Sequence, residues 1–77
     1  MKLIRKSDGL VKEGRIEFVE FDERGYGKEL HKKAKVGYSC IVNQKRGMYY
    51  TWLTSLITDV ISDTEFKTEN SHYTIEL

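Results

Sequence analysis

The side chains of this sequence best suited to hold a transition metal are Cys40, His31 and His72, which lie far apart along the chain. A structural zinc site needs four such ligands, usually at short spacings. The spacing therefore predicts no metal site. We interpret Cys40 as a small buried residue on the same strand face as Tyr38 and Val42.

Acidic residues offer a second set of possible metal ligands, because Asp59, Asp63 and Glu65 lie close together. A calcium loop needs a denser set of oxygen ligands and a glycine at its sharp turn, and this segment has no glycine. A solvated turn is the better interpretation.

Nucleophilic catalysis requires a serine or cysteine, a base and an acid that orients the base. Ser39, Cys40 and His72 supply the residue types, but no spacing or motif brings them together. The segment from Gly25 to Gly27 lacks the third glycine and the following helix of a phosphate loop. We therefore expect no enzymatic activity and no cofactor.

Basic and aromatic residues form the set best suited to nucleic acid, since single-strand binders combine a cationic groove with stacking aromatic rings. The candidates for phosphate contact and stacking are Lys32, Lys33, Lys35, Lys45, Arg46 and Tyr26. A formal net charge of only +1 favours the simpler interpretation, in which the aromatic residues fill the core and the lysines keep an edge strand soluble.

Protein contact is the other use of these aromatic side chains. Tyr49 and Tyr50 are adjacent, so in a strand they point to opposite faces and at least one is expected to be exposed. Exposed tyrosine and tryptophan are frequent anchors of protein interfaces. We predict Tyr49, Tyr50 and Trp52 as contact anchors, with Lys45 and Arg46 at the rim.

Strand patterns must position these residues. Val36, Tyr38, Cys40 and Val42 alternate with smaller or polar residues, which indicates a strand. In the segment 15–21 the apolar positions change phase after residue 18, which predicts a bulge or a strand buried on both faces. The dipeptide at residues 8–9 is Asp-Gly, which is typical of a turn.

The segment 53–62 is ambiguous. Its apolar residues are spaced as on one face of a helix, and they are Leu53, Leu56, Ile57, Val60 and Ile61. Its many threonine, isoleucine and valine residues favour a strand, which we predict, with a short helix as the alternative. For residues 66–77 we predict one strand with a bulge near Asn70, with a two-residue turn at residues 69–70 as the alternative.

The C-terminal third carries a Thr-Ser pair at residues 54–55, β-branched residues, and a Thr-x-Asn-Ser-x-Tyr ending at residues 68–73. This pattern resembles the C-terminal hairpin of a group of small bacteriophage and bacterial proteins with no assigned activity. The resemblance implies a β-hairpin and a bacteriophage origin. It implies no activity or site residue.

Length and composition set the architecture. Seventy-seven residues allow a single domain over residues 1–77. We predict a mainly β fold, a small SH3-like antiparallel barrel or sheet of about five strands. The core of such a small chain is thin and one cysteine forms no internal disulfide, so a homo-oligomer is expected.

The same composition predicts the setting. No apolar run approaches the ~20 residues of a membrane span, and residues 1–6 lack the apolar stretch of a signal peptide. A cytoplasmic location is expected, in a host cell if the protein comes from a bacteriophage. We expect a non-enzymatic protein-interaction module that binds a host or virion protein, with a nucleic-acid-binding barrel as the alternative.

Overall fold

The structure is a computed structural model that describes residues 1–43 and 52–77. These residues form nine strands and no helix, and therefore no helix long and apolar enough to cross a membrane. The strands are β1 (Lys2–Arg5), β2 (Val11–Glu13), β3 (Ile16–Phe21), β4 (Gly27–His31), β5 (Ser39–Val42), β6 (Trp52–Leu53), β7 (Ile57–Ser62), β8 (Glu65–Thr68) and β9 (His72–Glu76). The predicted mainly β fold is confirmed, with more and shorter strands than the five expected.

The strands pair into two antiparallel sheets rather than one closed barrel. The five-stranded sheet has the order β2-β1-β9-β8-β7, and the four-stranded sheet has the order β4-β3-β5-β6. The first strand lies beside the last one, with Leu3 opposite Ile75. This pairing brings the two ends of the described chain into the middle of one sheet.

The core lies between the two sheets. The five-stranded sheet contributes Leu3, Ile57, Phe66 and Tyr73, and the four-stranded sheet contributes Ile16, Phe18, Cys40 and Val42. The ring centroids of Phe18 and Phe66 are 5.7 Å apart in an edge-to-face arrangement, so these two residues join the sheets at the centre.

Strand β3 is buried on both faces, as its change of phase predicts. Phe18 faces the core, and the adjacent Val19 is also buried although it lies outside the core cluster. A register shift follows between Glu20 and Phe21, so the second predicted feature, a bulge, is present as well.

The segment 53–62 is a corner followed by a strand, and the helical alternative is wrong. Thr54 is buried; its Oγ1 accepts a hydrogen bond from the Cys40 backbone at 2.9 Å and donates one to the Ser55 carbonyl. The chain then enters the other sheet at Ile57, the only buried member of the supposed helix face. The helix-like spacing of these apolar residues arises because the chain turns a corner between the two sheets, where successive apolar residues need not share one face.

The C-terminal segment forms a hairpin, so the predicted single bulged strand is wrong and its alternative is right. Strands β8 and β9 pair with Phe66 opposite Tyr73. The backbone of Thr68 donates to the carbonyl of Ser71 at 2.8 Å, which closes a turn at residues 69–70. At the first hairpin, the predicted turn at residues 8–9 is also present, with Gly9 at a φ of 73°.

Candidate binding surfaces

Four of the five predicted protein-contact residues, Lys45, Arg46, Tyr49 and Tyr50, lie outside the described residues. The fifth, Trp52, lies opposite Val42 in β6 and packs against the core, half-buried. Its role as a contact anchor stays a prediction.

Two cations face the Trp52 ring from the other sheet. The guanidinium carbon of Arg5 lies 5.4 Å from the ring centroid, and Nζ of Lys12 lies 5.1 Å from it. Such contacts stabilise an exposed site by about 0.5–1 kcal/mol each. Trp52 therefore helps to hold the two sheets together.

The side chain of Arg5 is itself fixed by Asp8. Its Nη2 donates to Oδ2 of Asp8 at 2.6 Å and its Nε donates to Oδ1 at 3.0 Å. The hydrogen bonds from Arg5 and from the Leu10 backbone lower the pKa of Asp8 to about 2. The Arg5–Asp8 ion pair therefore stabilises both the turn at residues 8–9 and the contact of Arg5 with Trp52.

We expect stability to fall on acidification, and less so in an Asp8→Asn variant. The pKa of Asp8 is about 2 in the folded state, below its ordinary value of 3.8. Its contribution is thus complete above the unfolded pKa and is lost as the pH falls from about 4 to about 2. Urea midpoints measured at several pH values check this, with Asp63→Asn as the control, since Asp63 is exposed and makes no ion pair among the described residues. Equal pH dependence of Asp8→Asn and wild type would contradict it.

The structure brings together three of the predicted nucleic-acid contacts. Lys32, Lys33 and Lys35 line a cavity of ≈ 360 Å³ with His31, Ala34 and Tyr38. The rings of His31 and Tyr38 are stacked with centroids 4.9 Å apart, and Nζ of Lys35 lies 6.0 Å from the Tyr38 centroid. We call this group the lysine cleft.

Charge in the lysine cleft is only partly neutralised. Nζ of Lys32 lies 3.7 Å from a carboxylate oxygen of Glu17, whereas Lys33 and Lys35 make no ion pair within residues 1–43 and 52–77. Tyr26 is exposed but lines a different cavity, of ≈ 500 Å³, so the structure does not bring it to these lysines. Lys45 and Arg46, which complete the predicted set, lie outside the described residues.

Apolar side chains also line the face of the four-stranded sheet that points away from the core. Val19 pairs with Leu30, and Ile41 pairs with Leu53. Val19 and Ile41 are 8% and 4% exposed, whereas Leu30 and Leu53 are 39% and 36% exposed. We call these four residues the outer face. The pattern along the chain does not predict this group of four, although the phase change in β3 is a signal for Val19.

Two histidine–glutamate pairs lie on the sheets. Nε2 of His31 lies 2.8 Å from Oε1 of Glu20, and Nε2 of His72 lies 2.6 Å from Oε2 of Glu65. These hydrogen bonds lower the pKa of both glutamates. The pairs differ in their surroundings, because only His31 has a second carboxylate, that of Glu29, within reach among the described residues.

The other predicted chemical groups are placed as follows. Cys40 is fully buried, and burial raises the pKa of its thiol to about 12, so it does not form the thiolate that a nucleophile needs near neutral pH. Asp59 and Asp63 are exposed, while Glu65 turns to His72 and to Lys6. These acidic residues do not converge on a common point.

Comparisons with known proteins add no assignment. A scan against protein-family models and searches of curated proteins and of solved structures found no match to this chain.

Proposed function

We propose that this protein is a non-enzymatic protein-interaction module that contacts its partner through the outer face. The supporting observation is that this face carries four apolar side chains, of which Leu30 and Leu53 are exposed, although the core lies on the opposite side of the same sheet. An antiparallel sheet with one solvated face normally carries polar residues there. Exposed Leu30 and Leu53 beside buried Val19 and Ile41 are instead typical of an interface.

Charges around the outer face fit a second copy of the chain. Glu17 lies next to Ile41 in the sheet; its carboxylate is 2.9 Å from Nε of Arg15 and 3.7 Å from Nζ of Lys32. A two-fold interface is formed by the same patch on both subunits, so the patch must be complementary to itself. Apolar residues with both charge signs beside them meet this requirement.

The accessory role of a bacteriophage protein that binds a host or virion protein is part of the same proposal. It is supported by the resemblance of the C-terminal hairpin, and the second copy of the chain, not the host or virion protein, occupies the outer face. Tyr49 and Tyr50 stay predicted anchors of the contact with that protein.

Serine at both exposed leucines is expected to abolish self-association. In sedimentation velocity at micromolar to millimolar protein, the wild type should sediment as a dimer and Leu30→Ser/Leu53→Ser as a monomer. The matched control is Val11→Ser/Ile61→Ser, because both residues are exposed in the five-stranded sheet. A wild type that stays monomeric, or a leucine variant that dimerises as strongly, would contradict this proposal.

Nucleic-acid binding is the second candidate, and the lysine cleft is the observation that favours it. Lys33 and Lys35, which are exposed, stand beside the stacked rings of His31 and Tyr38 in one cavity. Cationic side chains beside aromatic rings are the recurring elements of single-strand binding.

For this candidate, Lys33→Ala/Lys35→Ala should weaken binding to a labelled single strand of about 16 nucleotides. Each lysine that contacts a phosphate adds about 0.7 to the magnitude of the slope of log affinity against log salt, so loss of both lysines should lower that magnitude by about 1.4. Fluorescence anisotropy between about 50 mM and about 200 mM salt measures this. Lys2→Ala/Lys67→Ala removes the same charge from the other sheet as a control. Absence of binding by the wild type at low salt would exclude this candidate.

A further inference from the structure

Three side chains of the types that ligate metal ions converge on the inner face of the hairpin formed by β3 and β4. Glu20 and Glu29 are directly opposite each other in the sheet, and His31 lies two residues beyond Glu29 on the same side of β4. One ligand atom from each side chain can be chosen so that all three lie within 4.8 Å of one another. The register of this hairpin brings the three together, which the spacing along the chain did not show.

We propose that Glu20, Glu29 and His31 bind a divalent transition-metal ion such as Zn²⁺. One imidazole and two carboxylates form a ligand set that suits ions of this class. Three protein ligands leave positions for water, and the partial exposure of Glu20 and His31 admits it.

The two distances from His31 to the glutamates are close to those found around a metal ion. Around an ion with bonds of about 2.0–2.2 Å, neighbouring ligand atoms lie roughly 3–3.5 Å apart. Nε2 of His31 is 2.8 Å from Oε1 of Glu20 and 3.9 Å from Oε2 of Glu29. The ion would replace the hydrogen bond between Nε2 of His31 and Oε1 of Glu20.

Charge at this position also favours a cation. Like charges directly opposite each other in a sheet are destabilising, and Glu20 and Glu29 form such a pair. Nζ of Lys28 lies 3.4 Å from Oε2 of Glu20, so it offsets part of this charge and competes with an ion. The His31 ring is held in place by its stacking on Tyr38.

Metal binding would hold the exposed edge strand β4 against β3. Four of the five residues of β4 are exposed, and the strand pairs only with β3 among the described strands. Small domains without disulfides frequently use a metal ion for stability. A ligand that binds only the folded state raises its stability, so excess Zn²⁺ should raise Tm by several degrees.

Competition against a chromophoric chelator tests the site with the full chain, free of any histidine tag. The wild type should bind one Zn²⁺ saturably and bind Mg²⁺ far more weakly, because Mg²⁺ prefers oxygen ligands. Glu29→Gln and His31→Ala should each weaken Zn²⁺ binding at least tenfold, since loss of even an outer partner of a ligand costs about 10–100-fold. Lys28→Ala should tighten it, because the competing cation is gone.

The chain contains a matched control in His72, which pairs with Glu65 and lies near Lys6 but has no second carboxylate within reach among the described residues. His72→Ala should leave Zn²⁺ affinity unchanged. In ring NMR spectra, added Zn²⁺ should shift the signals of His31 and not those of His72. Because Glu29 is exposed, Glu29→Gln keeps the fold and separates ligand loss from unfolding. Equal affinity of Glu29→Gln and wild type, equal loss in His72→Ala, or no saturable binding at millimolar Zn²⁺ would overturn the proposal.

Discussion

A Phe66→Ala substitution will lower the free energy of unfolding by about 3–5 kcal/mol, the usual cost of removing a buried aromatic ring. Phe66 is 0% exposed and lies in β8, between β7 and β9. Its ring meets Phe18 edge-to-face at 5.7 Å and stacks on Tyr73 at 5.6 Å. Its loss removes the central contact between the two sheets and one within the five-stranded sheet.

This loss is a large fraction of the free energy of unfolding, because the free energy of unfolding of a chain this small is itself small. Native domains are stable by roughly 0.05–0.15 kcal/mol per residue, which gives about 4–12 kcal/mol for a chain of this length. A loss of about 3–5 kcal/mol therefore removes at least a quarter of this stability, and at the lower end of the range it leaves Phe66→Ala half or fully unfolded without urea. Far-ultraviolet circular dichroism during urea denaturation measures the loss.

Two controls separate the ring from its surroundings. Phe66→Leu keeps most of the apolar volume and should cost less than half as much. Val60 lies opposite Phe66 on the edge strand β7, and its side chain is partly exposed. Val60→Ala should therefore cost about 1 kcal/mol or less. A loss below about 1 kcal/mol in Phe66→Ala would mean that the two sheets do not depend on this contact.

Local pattern was enough to predict the strand class but not the pairing. The alternation at residues 36–42 predicts a strand, because side-chain direction in a strand depends only on position along it. The structure contains this strand only at Ser39–Val42, as β5, so the predicted start at Val36 is wrong. The alternation does not tell which strand lies alongside. The pairing of β1 with β9 joins residues far apart in the chain, and it depends on how the side chains of both sheets fill one interior.

The same limit explains why the segment 53–62 and the candidate sites were hard to predict. A chain that turns a corner at Thr54 can imitate helical spacing, since residues on either side belong to different sheets. The lysine cleft could be predicted because its lysines are close in sequence. Recognising Glu20 opposite Glu29 requires the register of the hairpin, and a one-residue shift would turn one of them to the other face.

The other large effect is expected where the chain passes from one sheet to the other. Gly14 and Arg15 connect β2 with β3, and the Gly14 backbone donates to the carbonyl of Met1 at 2.9 Å. The side chain of Asn43 lies against this crossing: its Oδ1 accepts from the Arg15 backbone at 2.8 Å and its Nδ2 donates to the Glu13 carbonyl at 3.2 Å. One asparagine thus ties the ends of β2, β3 and β5 together.

Gly14→Ala is expected to destabilise the protein by about 3 kcal/mol. Gly14 has a φ of 152°, in a region that other residues rarely adopt, and such strain costs about 1–3 kcal/mol. An added Cβ would also collide with the side chain of Asn43, which must move and give up its hydrogen bonds to the crossing. Each lost hydrogen bond adds roughly 1 kcal/mol.

Two further variants divide this cost into its causes. Gly25→Ala also places a Cβ at a positive φ, of 84°, but in open space, so it reports the backbone cost alone, about 1–2 kcal/mol. Asn43→Ala removes the colliding side chain, so the Gly14→Ala/Asn43→Ala double variant should lose less than the sum of the two single losses. Urea denaturation of the four variants completes the cycle. Neighbouring substitutions are non-additive when they share a contact. Strict additivity, or equal losses in Gly14→Ala and Gly25→Ala, would therefore show that the collision with Asn43 does not contribute to the cost of Gly14→Ala.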